Sequence, residues 1–218
     1  MATQQGAGRI VTDGLVYLID PGNKRSYSGS GATVNDLSTN QITTTLVGSP
    51  TYDDIGAIAL NGTSQYMTMT WPTGLSSWSM SFWVNLASTG GTEKEVIAGT
   101  GNSFLLLIGQ NATVWQWIFW NGSVSLLTAT AVNTNVWQNM IVTADGTNVK
   151  WYLNGVNITN HSPYATPMPT GTIWIGNNPV NTDRYFPGKM SHIAIYDRVL
   201  SQAEVTQNFE ALRERYKV

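Results

Sequence analysis

Two tight turns within twenty residues constrain the fold of this chain most. The segment 136–155, VWQNMIVTADGTNVKWYLNG, contains Asp145-Gly146 and Asn154-Gly155, and each pair separates runs in which apolar and polar residues alternate. Asp-Gly and Asn-Gly pairs supply the positive φ angles of a two-residue hairpin turn. Alternation with a period of two places every second side chain on one face of a strand. The segment therefore predicts an antiparallel meander with one face toward a core.

The same alternation recurs along most of the chain. Apolar runs bounded by Gly, Pro or Asn predict strands over 14–20, 42–47, 55–61, 66–71, 78–86, 95–98, 103–109, 114–120, 124–128, 139–144, 149–154, 156–158, 172–176 and 189–196. About a dozen strands with turn signals every 8–12 residues favour a two-sheet β-sandwich. The run 103–109 is apolar throughout, which predicts a strand buried on both faces. Strict alternation in 189–196 places Met190 and His192 on one face and Ile193 on the other.

The C-terminal segment carries the helical pattern of the sequence. Ser201 and Glu204 form a capping box, in which each side chain accepts a hydrogen bond from the other residue's backbone N–H. An apolar stripe at helical spacing follows, formed by Val205, Phe209, Leu212 and Tyr216. We predict one helix over 201–218 that packs on the sandwich; the alternative is that its stripe contacts a partner subunit.

The chain divides into a polar, Gly-rich arm at 1–13, the sandwich at 14–200 and the helix at 201–218. The arm is predicted to be flexible, or to become ordered against a neighbouring subunit of a homo-oligomer. The candidate residues for contact with a partner are Arg9, Ile10, Phe209, Leu212 and Tyr216.

Composition excludes several classes of function. The 218 residues include no cysteine, which excludes disulfides, thiolate catalysis and Cys-ligated zinc. A net charge of −2 gives no electrostatic footprint for nucleic acid or an anionic membrane, and no run approaches the roughly 18 apolar residues of a membrane span. The N-terminal residues lack the apolar segment of a signal peptide. We therefore expect synthesis in a cytoplasm, without nucleic-acid or membrane partners.

Four blocks of the sequence resemble a known superfamily. In this order, LNGTSQYMTM (60–69), SMSFWVN (79–85), the meander 136–155 and the run from IWIG to the C-terminal helix (173–209) are similar to the laminin-G-like, concanavalin A-like jelly rolls. The resemblance implies an all-β fold: a two-sheet antiparallel jelly-roll β-sandwich with one C-terminal α-helix. It is specific for fold rather than function, because the superfamily includes lectins, glucanases, adhesion modules and structural proteins.

The two ends of the chain carry a narrower resemblance. Residues 14–40 and 196–216 resemble jelly-roll proteins encoded by tailed bacteriophages. That resemblance implies a non-enzymatic virion structural protein, either a capsid decoration or a fibre or tail component. Its partners would be a capsid or tail protein and further copies of itself, and its location would be the virion, after synthesis in the host cytoplasm.

The residues that carry catalysis in related glucanases have no full counterpart. The glucanases of that superfamily place three acidic residues at alternate positions on one strand. This spacing points a nucleophile and an acid into one groove. Glu93-Lys94-Glu95 supplies only two, and we interpret it as a solvated turn. His161 and His192 lack metal-ligand spacing. We predict no catalytic residue, no metal ligand and no cofactor, but leave open a structural calcium ion, with donors among the loop carboxylates Asp20, Asp53, Asp54 and Asp183.

A carbohydrate- or receptor-binding module is the alternative function. Three of the nine tryptophans, Trp115, Trp117 and Trp120, lie in the predicted strand 114–120 and are the candidate platform for a surface glycan. Large rings also fill the space between the sheets of a sandwich, and we favour that role for them. Trp120, beside Asn121-Gly122, is the ring that we expect to be exposed.

Overall fold

The alternating runs form two antiparallel sheets of eight strands each. The computed structural model describes residues 8–53, 55–91, 93–100, 104–111, 113–162, 167–181 and 183–218. The elements are β1 (Leu15–Ile19), β2 (Thr33–Val34), β3 (Thr44–Val47), β4 (Thr51–Tyr52), β5 (Ile58–Asn61), β6 (Tyr66–Trp71), β7 (Trp78–Leu86), β8 (Lys94–Ala98), β9 (Leu105–Asn111), β10 (Val114–Trp120), β11 (Ser125–Ala131), β12 (Trp137–Ala144), β13 (Val149–Leu153), β14 (Val156–His161), β15 (Gly171–Ile175), β16 (Pro187–Tyr196), α1 (Gln202–Glu210) and α2 (Arg213–Tyr216).

The order of strands is that of a jelly-roll sandwich, which confirms the predicted fold class. Sheet A has the order β14-β13-β12-β7-β16-β5-β4, and β1 also pairs with β16. Sheet B has the order β11-β10-β9-β8-β15-β6-β3-β2. The opening meander is β12, β13 and β14 at one edge of sheet A. The structure adds the two-residue strands β2 and β4, which are too short to show a period in sequence.

The inner faces of the two sheets form the core. Phe82 of β7, Met140 and Val142 of β12 and Trp151 of β13 lie in one buried cluster, on the faces that alternation predicts. The four consecutive residues 105–108 of β9 are each at most 2% exposed. The prediction of a strand buried on both faces is therefore confirmed.

Strand β16 departs from its predicted alternation. Its pairing with β7 shifts between Ser191 and Ala194, which marks a bulge, and His192 within the bulge has φ 43°. The extra residue moves the following side chains to the opposite faces. Met190 and Ile193 consequently both lie in the core, so the predicted placement of Met190 and His192 against Ile193 is wrong.

The predicted C-terminal helix is present as two helices. Ser201 caps α1, and its capping box with Glu204 is formed as predicted. The helix ends at Glu210, and α2 begins after Leu212, whose φ of −124° interrupts the helical path. Neither helix has the length and apolar content to cross a membrane, within the residues that the structure describes.

The two helices pack on the outer face of sheet A. Phe209 and Tyr216 stack on the indole of Trp83, with ring centroids 5.8 and 4.2 Å away. Phe209 and Tyr216 are 8% and 3% exposed, and Leu212 packs partly buried beside them. We call α1 and α2 together the C-terminal cover. Three predicted partner contacts therefore lie against their own sandwich, and contact with a second subunit stays a prediction.

The described part of the N-terminal arm lies along α1. The Val11 N–H donates to Asn208 Oδ1 at 2.8 Å, and Gln207 Nε2 donates to the Arg9 carbonyl at 2.8 Å. Ile10 packs, partly buried, beside the same helix. The first seven residues of the predicted arm are outside the described residues.

Candidate functional site

The outer face of sheet B is the candidate site, because within the described ranges no helix packs on it. Its centre is a small apolar cluster from three neighbouring strands, and two indoles and a leucine pack at its margin. The buried members are Ala98, Leu105, Leu107 and Ile118, and the marginal ones are Trp120, Leu127 and Trp174. We call this cluster, with the adjoining Glu93, Glu95 and Arg184, the open face.

The structure does not bring the three predicted tryptophans together. Trp117 is fully buried in the core, where its ring lies 5.9 Å from that of Phe82. Trp115 packs against the same core and is partly buried. Trp120 points to the opposite side of β10 and lies on the open face. This separation is the one that alternation along the strand predicts.

Trp174 is a candidate residue that the sequence analysis missed. It lies in β15, directly opposite Thr68 of β6 and Ala98 of β8. Its neighbours Ile173 and Ile175 point into the core. A signal was present in the sequence, since alternation in this strand leaves Trp174 on the outer face.

Glu93 and Glu95 share one guanidinium on the open face. Arg184 Nη2 lies 2.7 Å from Glu93 Oε2, and Arg184 Nη1 lies 3.2 Å from Glu95 Oε1. Asn178 Nδ2 also donates to Glu95 Oε1 at 3.1 Å. Glu95 has no exposed surface. The prediction of a solvated turn is therefore wrong for Glu95, because the segment that follows β15 folds over the start of β8.

Burial controls the charge of Glu95. Removal from water raises the pKa of its carboxyl to about 7, although hydrogen bonds from Asn178 and Arg184 act in the opposite direction. Its Oε2 atom is buried and has no hydrogen-bond partner among the described residues. A carboxyl with such a pKa exchanges its proton near neutral pH, and it is charged on one side of that range and neutral on the other.

A cavity of about 240 Å³ lies above the open face. Its lining combines charged groups with apolar ones, namely Glu93, Leu105, Leu107, Ile118, Trp120, Ser125 and Arg184. The absent side chain of Gly109 makes room for Glu93, since a Cβ there would lie 2.7 Å from Ile118 Cδ1 and 3.1 Å from Glu93 Cγ. The cavity therefore offers one aromatic wall, an apolar floor and an ion pair at its edge.

The candidate calcium donors are dispersed. Asp20 is paired with Arg215 at 2.7 Å, and Asp53 with Lys189 at 2.9 Å. Asp54 is outside the described residues. Over the described part of the chain, no group of three or more His, Asp or Glu side chains is placed to hold a metal ion. A structural calcium ion stays a prediction without assigned ligands.

Both histidines contact or are buried among groups of the sandwich itself, away from the candidate site. His161 Nε2 lies 3.1 Å from the Leu127 carbonyl, between the edges of the two sheets. His192 is buried in the bulge of β16, and burial lowers its pKa to about 4. Neither histidine lies on the open face.

Comparison with solved structures identifies proteins of the same fold at low sequence identity. Domain 4 of a family 43 extracellular arabinanase from Geobacillus stearothermophilus, in complex with arabinotriose, is 18% identical with a TM-score of 0.71, over 89% of this chain and 97% of that one. The binding domain of botulinum neurotoxin serotype D/C is 15% identical with a TM-score of 0.70. A mutant sialidase of Trypanosoma rangeli with trans-sialidase activity is 13% identical with a TM-score of 0.69.

The last two similarities cover only part of the longer proteins. The match includes 91% of this chain but 52% of the toxin domain, and 95% of this chain but 34% of the sialidase. These similarities show a shared fold. The sequence matches no curated protein.

A family model identifies the superfamily directly from the sequence. The laminin-G-type model described as the concanavalin A-like lectin/glucanases superfamily matches residues 61–206, more than half of the chain. Those residues include every strand from β6 to β16 and the first half of α1. The chain therefore belongs to the concanavalin A-like lectin/glucanase superfamily.

Proposed function

We propose that this protein is a carbohydrate-binding module that holds a glycan on the open face of sheet B. The observation that carries the proposal is the placement of Trp120 and Trp174, two partly exposed indoles at the margin of one apolar cluster. An indole presents a broad apolar surface on which the C–H face of a sugar ring packs. Binding sites commonly combine such a surface with a few convergent polar groups, and Glu93 and Arg184 supply them here.

Two of the solved structures support a binding role. One is an arabinanase domain in complex with arabinotriose, and the other is the binding domain of a botulinum neurotoxin. At 18% and 15% identity they supply an analogy of fold, so the proposal depends on the open face itself. We propose that the identity of the sugar is set by the polar groups around Trp120.

Substitution of the two indoles tests the proposal. A glycan array first selects a sugar that the wild-type protein binds, and calorimetry then measures its affinity for the Trp120→Ala and Trp174→Ala variants. We expect each variant to bind about tenfold more weakly, which corresponds to about 1.4 kcal/mol of lost contact. Val114→Ala is the matched control, because Val114 is 42% exposed at the other end of β10. Unchanged affinity in both indole variants, or no bound sugar on the array, would refute the proposal.

We propose further that the acidic pair does not cleave the bound glycan. Glu93 lines the cavity and is paired with Arg184, whereas Glu95 has no exposed surface and does not reach a bound sugar. A glycosidase needs one carboxyl as an acid and the other as a nucleophile or base. Measurement of reducing ends released from the selected glycan tests this assignment. Release by the wild-type protein that Glu95→Gln abolishes would establish a hydrolase instead.

The virion role inferred from the sequence stays a prediction. The neighbours reported above are not virion proteins, and contacts with a capsid or tail protein or with further copies are untested. Light scattering on the full chain and on a chain without residues 1–12 measures the oligomeric state. A stable oligomer that dissociates without the arm would support the assembly role, and a monomer in both cases would count against it.

A further inference from the structure

The two oxygens of the Glu95 carboxyl have unequal surroundings. Oε1 accepts hydrogen bonds from Asn178 Nδ2 at 3.1 Å and from Arg184 Nη1 at 3.2 Å. Oε2 is buried and has no hydrogen-bond partner among the described residues. Because Oε1 faces two donors, the proton of the neutral carboxyl lies on Oε2. Ionisation therefore leaves a buried, negatively charged oxygen without a donor, which costs free energy.

The groups around Oε1 are held in place by backbone contacts. Asn178 Oδ1 accepts from the Val180 N–H at 2.9 Å, so the amide nitrogen of Asn178 stays turned toward Glu95. The Glu95 N–H donates to the Arg184 carbonyl at 2.9 Å, and the Arg184 N–H donates to the Asn181 carbonyl at 3.2 Å. A change in the charge of Glu95 therefore acts on the guanidinium of Arg184 rather than on its backbone.

Arg184 connects the buried carboxyl to the cavity of the open face. Its Nη2 lies 2.7 Å from Glu93 Oε2, and both side chains line the cavity, with 25% and 37% of their surface exposed. Glu95, on the other side of the guanidinium, has no exposed surface. Glu95 therefore acts on a molecule in the cavity only through Arg184.

Few charged groups surround Glu95. The strands β9 and β15, which pair with β8 on either side, contain no charged or titratable residue. The segments 93–98 and 177–186 contain the charged residues Glu93, Lys94, Glu95, Asp183 and Arg184. Attraction by Arg184 favours the ionised form of Glu95, and repulsion by Glu93 opposes it. The phenol ring of Tyr185 packs against Tyr66, with ring centroids 6.2 Å apart.

The state of Glu95 decides how firmly Arg184 is held. While Glu95 is neutral, the guanidinium balances the single carboxylate of Glu93. Once Glu95 is ionised, the guanidinium is shared by two carboxylates, and the hydrogen bond to Oε1 becomes stronger because both partners are charged. A molecule that accepts from Arg184 must then compete with both carboxylates. It also displaces water from the cavity, which makes the ionised form of Glu95 still less favourable.

We infer that Glu95 is a positioning residue whose proton controls the open face: the neutral carboxyl leaves Arg184 available to a bound glycan, and the ionised carboxylate withdraws it. The inference rests on the proposed function for the nature of the bound molecule, whereas the control of Arg184 is measurable without any ligand. Burial raises the pKa of Glu95 to about 7, so the two forms interconvert near neutral pH. By reciprocity, a glycan that binds better to the neutral form raises the pKa of Glu95 further.

Nuclear magnetic resonance on the full-length protein tests the control of Arg184 without a ligand. The signals of the Glu95 carboxyl carbon and of the Arg184 guanidinium nitrogens are followed from about pH 5.5 to about pH 8.5, on both sides of the expected midpoint. We expect both sets of signals to change with one common midpoint near pH 7. In Glu95→Gln, which keeps an acceptor for Arg184 but cannot ionise, the Arg184 signals should stay constant.

Arg213 is the internal control for this titration. It is paired with Glu210 on the C-terminal cover, on the opposite side of the sandwich, so its guanidinium signals should not follow the same midpoint. Arg184 signals that do not change with pH in the wild-type protein would overturn the inference, and so would an equal change in Glu95→Gln.

The affinity at two pH values tests the consequence for binding. Calorimetry measures the sugar that the glycan array selects at about pH 5.5 and about pH 8.5. We expect the wild-type protein to bind it about fivefold more weakly at the higher pH, a coupling at the low end of those usual between sites. Glu95→Gln should bind at both pH values with the affinity that the wild type has at the lower one. An affinity independent of pH in the wild type, or the same pH dependence in Glu95→Gln, would overturn the inference.

Glu93→Gln separates the two carboxylates of the pair. This variant changes the edge of the cavity but keeps the buried carboxyl, so the Arg184 signals should still change with pH. Their midpoint should be lower than in the wild type, because the repulsion by Glu93 is lost. A common midpoint of Glu95 and Arg184 without a bound sugar on the array would support the control of Arg184 by Glu95 and count against the proposed function.

Discussion

The two outer faces of the sandwich differ in how far their tryptophan rings are buried. On sheet A, two rings of the C-terminal cover stack on Trp83 and leave it with no exposed surface. On sheet B, Trp120 and Trp174 stay partly exposed above an apolar cluster. A sheet has two faces, and only one can face the core, so the other must be covered, kept polar or used for binding. The comparison shows that the chain covers the outer face of sheet A with its own C-terminal helices and leaves the outer face of sheet B, where we propose the glycan site, without such a cover.

The hydrogen bonds under the cover show that it is fitted to its own sandwich. Arg215 pairs with Asp20 at 2.7 Å and donates to the carbonyls of Ile55 and Gly56 at 2.9 and 3.1 Å. The Tyr216 hydroxyl donates to Ser191 Oγ at 2.8 Å. Burial of a polar group costs little free energy when the group keeps a hydrogen-bond partner, and it costs much more when no partner is present. The cover therefore has one well-defined position on sheet A.

Truncation of the covered indole should have the largest effect on stability. Trp83→Ala removes the ring between Phe209 and Tyr216, and we expect a loss of about 3–5 kcal/mol in the free energy of unfolding. Trp174→Ala on the open face should cost only about 1–2 kcal/mol, because its ring is partly exposed. Urea denaturation of both variants measures the difference. Equal losses of unfolding free energy would show that the covered ring and the partly exposed ring do not differ in their contribution to stability.

The stability of the protein, measured over a series of pH values, distinguishes the buried titratable group of the open face, Glu95, from that under the cover, His192. Burial raises the pKa of Glu95 to about 7, from an ordinary value of 4.5, so the folded protein holds a proton that the unfolded chain releases between these values. This contribution to stability is complete below about pH 4.5 and is lost as the pH rises to about 7. A shift of this size corresponds to about 3 kcal/mol. Glu95→Gln should remove the loss, so that the variant gains stability over the wild type as the pH rises.

His192, which lies under the cover, makes stability depend on pH in the opposite direction. Burial lowers its pKa to about 4, from an ordinary value of 6.5, so its contribution is present above pH 6.5 and is lost as the pH falls to about 4. In Glu95→Gln this second contribution is no longer offset, and stability should decrease on acidification below pH 6.5. Denaturation midpoints at intervals of pH measure both slopes. A variant with the same profile as the wild type would exclude Glu95 as the source of the upper slope.

The cap of α1 should have a smaller effect, confined to the covered face. Ser201→Ala removes the side-chain oxygen that accepts from the Glu204 N–H, and such caps contribute about 1 kcal/mol. Arg198 and the Ser201 N–H also hold the pKa of Glu204 at about 2, so the carboxylate side of the capping box persists. Hydrogen exchange should quicken in α1 and remain unchanged in β9 and β10. Faster exchange in those strands would mean that the cover and sheet B are coupled.

An exposed ion pair on the cover should have the smallest effect. Arg213 Nη1 lies 3.1 Å from Glu210 Oε1, and both side chains are at least 40% exposed. Such pairs are screened by solvent and contribute little. Glu210→Gln should change the free energy of unfolding by less than about 0.5 kcal/mol. A larger loss would indicate that the break between the two helices depends on this pair.

The strands were predictable because one period governs both sequence and burial. Alternation along 114–120 separates Trp120 from Trp115 and Trp117, and the structure has this separation, although Trp120, expected to be exposed, is only partly exposed. The bulge at His192 was not predictable, since a positive φ at a residue other than Gly has no clear signal in sequence. The pair of Glu95 and Arg184 was missed because 89 residues separate them, and only the fold brings them together.

The position of β16 in sheet A has a consequence for protein synthesis. This strand pairs with β7, β5 and β1, all of which precede it by long stretches of sequence. A nascent chain that ends before residue 187 has sheet A in separate pieces, without the strand that joins them. Non-local pairing is slow to form, so we expect the sandwich to close only after residue 196 has left the ribosome. Protease resistance of chains arrested at successive lengths should then appear in one step, rather than strand by strand.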